Sequence, residues 1–82
     1  MKPINYEHAN AVLKAPDNAP EVIDLPITRL KYTDGTIGVE SCWELSDEEL
    51  KEINKTKRVY FICLGSTHPP VLLQSRSELD VR

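Results

Sequence analysis

"LPITRLKYTDGTIGVESCWEL", residues 25–45, is the stretch whose reading decides the fold. Asp34-Gly35 stands between two β-branched runs, and this dipeptide is the strongest short-range hairpin signal a sequence carries. A two-residue loop at Asp34-Gly35 pairs Thr33 with Thr36, Tyr32 with Ile37, Leu30 with Val39 and Thr28 with Ser41. Those residues then share one face with Trp43 and Leu45. Arg29, Lys31, Glu40 and Glu44 take the other face, with Arg29 directly across from Glu40. A slip of one residue mixes the two sets, so turn chemistry and face segregation both point to this register.

Working toward the C-terminus, Ser46 and Glu49 form a capping box, and Leu45 and Leu50 stand at the two positions of a hydrophobic staple. Asp47 and Glu48 suit the positive end of a helix, Lys55 and Lys57 its negative end. The helix is expected over 46–57, with Leu50 and Ile53 as an apolar edge lying on a sheet. "RVYFICLG" follows. It is apolar on both faces, as a central strand is, and the six-residue connection 65–70 leads to a short pairing strand at Val71, Leu72 and Leu73. A second hairpin is therefore expected over 58–74, and a polar tail over 75–82.

Toward the N-terminus, residues 1–20 are irregular. "NYEHANAVLKA" fits a short helix capped by Asn5, with Ala9, Val12 and Leu13 at helical spacing and a turn between Pro16 and Pro20. The expected architecture is a single α+β domain of β-β-α-β-β order: a mainly antiparallel sheet, one helix packed on it, and an irregular or short-helical N-terminal segment.

Eighty-two residues make one domain at the small end of what folds around its own core, so assembly into a homo-oligomer is expected. Charged residues at 28% and apolar residues at 40% describe a globular chain rather than a disordered one. A net charge of −3 with no basic run disfavours duplex nucleic acid as a partner. The longest apolar run, Val59 to Leu64, is too short to span a membrane, and "MKPINYEH" lacks the apolar core of a secretion signal. A cytoplasmic protein is expected, with Cys42 and Cys63 as reduced thiols packing like small hydrophobes.

Few residues invite chemistry. His8, His68, Cys42 and Cys63 fall in no metal-ligand spacing, so neither a metal nor a cofactor is expected. A nucleophile at Cys63, Ser66 or Thr67 activated by His68 lacks a third group at a recognisable spacing to orient the imidazole, and no catalytic residue is assigned. The acidic "DEEL" is the first turn of a helix, where acids belong for structural reasons. Trp43 ends its strand, where half an indole can stack a planar ligand. Arg29 can hold an anion. In "GSTHPP", Gly65 allows a sharp turn, Ser66, Thr67 and His68 supply polar groups, and Pro69 and Pro70 stiffen the loop. The ligand-contacting set read from the sequence is thus Arg29, Trp43, Gly65, Ser66, Thr67, His68 and Pro69.

"LPITR", "GTIGVESCWELSDEEL" and "RVYFICLGSTHPPVLL" together resemble a group of short proteins encoded by tailed phages and prophages. Their pattern runs L-P-[IV]-x-R, a strand ending S-x-W, an acidic helix start, an apolar strand and G-x-x-H-P-P-V. The likeness extends from about Asn10 to Leu73, with Cys42 standing where many of the group have Phe. The resemblance implies a phage-encoded domain that stands alone, in the host-cell cytoplasm; it carries no established activity, and small solitary phage proteins of this kind commonly act by binding. Combined with the residues above, it leads us to expect a non-enzymatic accessory protein that sequesters a small ligand, such as a defence-signalling nucleotide. The alternative is a protein–protein interaction module that inhibits or recruits a host or phage protein.

Overall fold

The structure, a computed structural model, describes residues 1–15 and 23–80. Five short antiparallel strands and one helix make it a small α+β fold: β1 (Lys2–Ile4), β2 (Ala11–Leu13), β3 (Leu25–Lys31), β4 (Ile37–Glu40), β5 (Cys42–Glu44) and α1 (Asp47–Thr56). They form a three-stranded sheet of order β2-β3-β4 and a two-stranded sheet of β1 with β5. A 3₁₀ turn, Glu78–Asp80, follows near the C-terminus.

The hairpin forms where Asp34-Gly35 placed it, but its register differs by one residue. Thr28 lies opposite Glu40, Arg29 opposite Val39, Leu30 opposite Gly38 and Lys31 opposite Ile37. The loop holds three residues rather than two. Gly35 N–H donates to the Tyr32 carbonyl at 3.0 Å, and Tyr32 N–H donates to the Thr36 carbonyl at 2.8 Å. The two-residue alternative needs positive φ at both central positions. Here only Gly35 takes it, at φ 90°, while the Asp34 carboxylate accepts the Thr36 N–H at 2.9 Å. A type I turn closed by a left-handed glycine spares Asp34 that strain, and the register follows from it.

The slip re-sorts the faces. Arg29 and Lys31 now share a face with Val39 and Ile37, whereas Thr28, Leu30, Gly38 and Glu40 share the other. Past Glu40 the chain leaves this sheet, and Cys42, Trp43 and Glu44 pair instead with Ile4, Pro3 and Lys2. The second arm of the expected 26–45 hairpin is therefore divided between two sheets.

The N-terminal segment is built of strands, not of the expected helix. Ala11, Val12 and Leu13 pair with Ile27, Pro26 and Leu25, after a turn in which Ala9 N–H donates to the Tyr6 carbonyl at 3.0 Å. Asn10 explains the choice. Its N–H donates to the Ile27 carbonyl at 2.8 Å, and its side-chain Oδ1 accepts the Arg29 N–H at the same distance. Non-local pairing along β3 satisfies more backbone groups than one isolated helical turn would. The turn expected between Pro16 and Pro20 lies outside the described residues.

The helix is bounded as its caps require. Ser46 accepts the Glu49 N–H, the Glu49 side chain accepts the Ser46 N–H, and Lys57 closes the C-terminus in the left-handed region at φ 59°. It does not lie buried across a sheet face. No residue of α1 is buried, and Leu50 is half exposed. An ion pair from the Met1 ammonium to Glu49 ties its first turn to the strand β1.

The second hairpin expected over 58–74 does not form, because no residue between Arg58 and Gln74 pairs in a strand. Within the described core, Ile27 is fully buried and Thr28 is 2% exposed; both lie on the central strand β3. The tail expected over 75–82 is anchored as far as Asp80, by contacts described next.

Candidate functional site

Glu40 is the polar hub. Its carboxylate accepts the Ser77 hydroxyl at 2.8 Å and the Glu78 N–H at 2.6 Å, and the Tyr6 hydroxyl lies 3.1 Å away. Tyr6 Oη is also 2.6 Å from Thr28 Oγ1, and that hydroxyl donates to the His8 carbonyl at 2.8 Å. Tyr32 donates its phenol to Glu78 at 3.2 Å. Partial burial pushes the Glu40 carboxyl up, but the donors from Glu78, Ser77 and Tyr6 outweigh it and leave it below the usual glutamate value. His8 Nε2 meets Asp80 Oδ1 at 2.9 Å, and this bond raises the imidazole above its ordinary value. The network pins the 3₁₀ turn to the N-terminal segment and to β3–β4.

Because Glu40 is occupied there, and because the register places Val39 opposite Arg29, the expected Arg29–Glu40 pair is absent. Among the described residues neither Arg29 nor Lys31 has an ion-pair partner. Together with Leu30, Ile37, Gly38 and Val39 they line an open depression on the hairpin. Ile37 is 79% exposed there. Two cations thus flank uncovered aliphatic surface.

Trp43 sits on β5 opposite Pro3, half exposed, with its indole N–H donated to Ser41 Oγ at 2.8 Å. Gly65, Ser66, Thr67, His68 and Pro69 lie in an exposed connection, and Gly65 takes φ 119°, the left-handed side that glycine permits. The His68 ring contacts Phe61, centroids 5.1 Å apart and tilted by 57°. Its Nδ1 lies 2.9 Å from the Pro69 carbonyl, an acceptor, so that nitrogen carries the proton. Among the described residues, no hydrogen bond, ion pair or ring contact joins Arg29, Trp43 and the 65–69 loop to one another. Cys42 and Cys63 are free thiols, each half-buried.

Glu7, His8 and Asp80 are a group that the sequence reading missed. One ligand-type atom from each lies within 4.8 Å of the others. Their closeness follows from the His8–Asp80 bond, which spans 72 residues and leaves no trace in local spacing. Among the described residues, no helix is long and apolar enough to cross a membrane.

By class, then, the chain is a small antiparallel α+β fold with an uncovered cationic and apolar face. Compared with known proteins, it matches no family model, no curated protein and no solved structure.

Proposed function

We propose that this protein is a phage-encoded accessory protein of the host cytoplasm that captures a small anionic ligand with a flat apolar body, a signalling nucleotide being the best fit, and does not transform it. The observation that carries this reading is the unneutralised Arg29 and Lys31 beside exposed Ile37 and Val39. Cations with free donors suit phosphate oxygens, and adjacent aliphatic surface suits a base. Half-exposed Trp43 offers a stacking plane, and on a loop stiffened by Pro69 the Ser66 and Thr67 hydroxyls offer donors while His68 keeps Nε2 as an acceptor. Binding rather than catalysis is favoured because His68 spends its Nδ1 proton on a backbone carbonyl, and among the described residues no carboxylate is bonded to it to orient a general base. The depression is open, so a tight site needs walls from elsewhere.

The test is incubation of the protein with a panel of cyclic mono- and dinucleotides, followed by filtration. One compound is expected to be retained by the protein and returned unaltered on denaturation. Arg29→Glu with Lys31→Glu should weaken that retention by at least about tenfold, the size of losing one charge-assisted contact. Retention of no compound overturns the reading.

A second reading, a module that binds a host or phage protein, draws on the uncovered apolar side chains of Val59–Leu64 and Val71–Leu73. A pull-down from infected cells that recovers one stoichiometric protein with no nucleotide would favour it.

A further inference from the structure

We propose that residues Val59–Leu64 are a pairing strand for a second copy of this chain, and that the protein is an isologous dimer joined along that strand. This goes beyond the ligand reading and does not depend on it.

The exposure of the run alternates as that of a strand does. Tyr60, Ile62 and Leu64 are 80%, 83% and 97% exposed, whereas Val59 and Phe61 are 49% and 47% exposed and Cys63 is half-buried. That alternation has the two-residue period of extended chain, one side about half covered and the other open. Its backbone makes no strand pairing, although it is the most β-prone stretch of the sequence.

Size says that something covers it. The chain exposes 7316 Å², roughly 2,300 Å² more than the approximately 5,000 Å² usual for a folded monomer of this mass. Its radius of gyration is 14.4 Å, against about 11.7 Å for a compact chain of this length. A specific dimer removes about 800 Å² per partner and an obligate one more, so the surplus is large enough to supply such an interface.

Charge says that the occupant is another copy. Residues 59–73 contain no Asp, Glu, Lys or Arg, so two copies meet without repulsion and without any charge that would select a different partner. Natural edges are blunted with lysine or a strand proline, and Val59–Leu64 has neither. Antiparallel pairing about a twofold axis at Ile62 sets Ile62 opposite its own copy and Tyr60 opposite Leu64. All six of these side chains then lie on one face and form a continuous apolar stripe.

Light scattering on the full chain should give the mass of two chains or an even multiple, and Ile62→Lys should halve it. With both native cysteines changed to serine, Ile62→Cys should form an intermolecular disulfide under mild oxidation, whereas Gln74→Cys should not. Should Ile62→Lys fail to fold, hydrogen exchange of the unaltered chain decides: amides 59–64 should be protected at high protein concentration and lose protection on dilution. A monomeric mass at all concentrations overturns the proposal. So does a dimer with no 62–62 crosslink and unprotected 59–64 amides, the outcome expected if a different partner occupies the strand.

Discussion

Glu40 shows how one side chain can set the fate of several others. Had it faced Arg29, it would have made an exposed cross-strand pair contributing less than about 1 kcal/mol. Instead it receives Ser77, Glu78 and Tyr6 and closes the chain end onto the sheet. Its carboxyl is held below the ordinary glutamate value, so its contribution is complete above that value and is lost as pH falls through the depressed one. His8 works in the opposite sense. Its bond to Asp80 raises the imidazole, so that contribution is complete below the ordinary histidine value and is lost as pH rises through the raised one. The 3₁₀ turn is therefore held most firmly between about pH 4.3 and 6.5, the interval between the two ordinary values. NMR titration of His8 should show its midpoint fall toward the ordinary value in Asp80→Asn. Glu40→Gln should lower stability by about 1–3 kcal/mol in urea unfolding at neutral pH, and the difference should shrink in acid.

At the scale of elements, the helix was readable to within a residue because its determinants are local: Ser46, Glu49 and the acidic first turn all act within one turn of chain. Its C-cap adds something the sequence did not announce. Lys57 occupies the left-handed region at φ 59°, which costs a residue with a Cβ about 1 kcal/mol. Lys57→Gly should therefore raise the melting temperature, and Gly35→Ala, at φ 90°, should lower it by a comparable free energy in the same assay. The hairpin was readable as a hairpin but not in register. Whether Asp34-Gly35 closes as two or three residues turns on the φ of Asp34, and Asp34 has a bond to Thr36 that keeps it out of the left-handed region. From that single torsion follow the cationic face and an Arg29 with no ion-pair partner among the described residues. The sequence could name Arg29 as a candidate for holding an anion; that it stands beside Val39 rather than Glu40 came only from the register.

For the whole molecule, the decisive quantity is how little it buries. Ile27 is the buried apolar side chain among the described residues, and Leu50, Val59, Phe61 and Leu73 are half exposed or more. A chain that completes its core by association should gain stability with concentration by mass action. Calorimetry or circular dichroism should show the melting temperature rising by about 3–5 °C per tenfold increase in protein if unfolding and dissociation are coupled, and not at all for a monomer.

The sequence by itself determined what rests on short-range chemistry: a hairpin at Asp34-Gly35, a helix between Ser46 and Lys57, α+β class with antiparallel pairing, and a proline-stiffened connection around His68. The tertiary structure decided what rests on competition between distant partners. It drew residues 11–13 into a strand along β3, where backbone groups awaited pairing, and shifted the register so that Glu40 served the chain end rather than Arg29. It also left Val59–Leu64 outside any strand pairing. A sequence can state that a segment wants neighbours on both faces; which neighbours it finds depends on surface that only the folded chain, and in our proposal its second copy, provides.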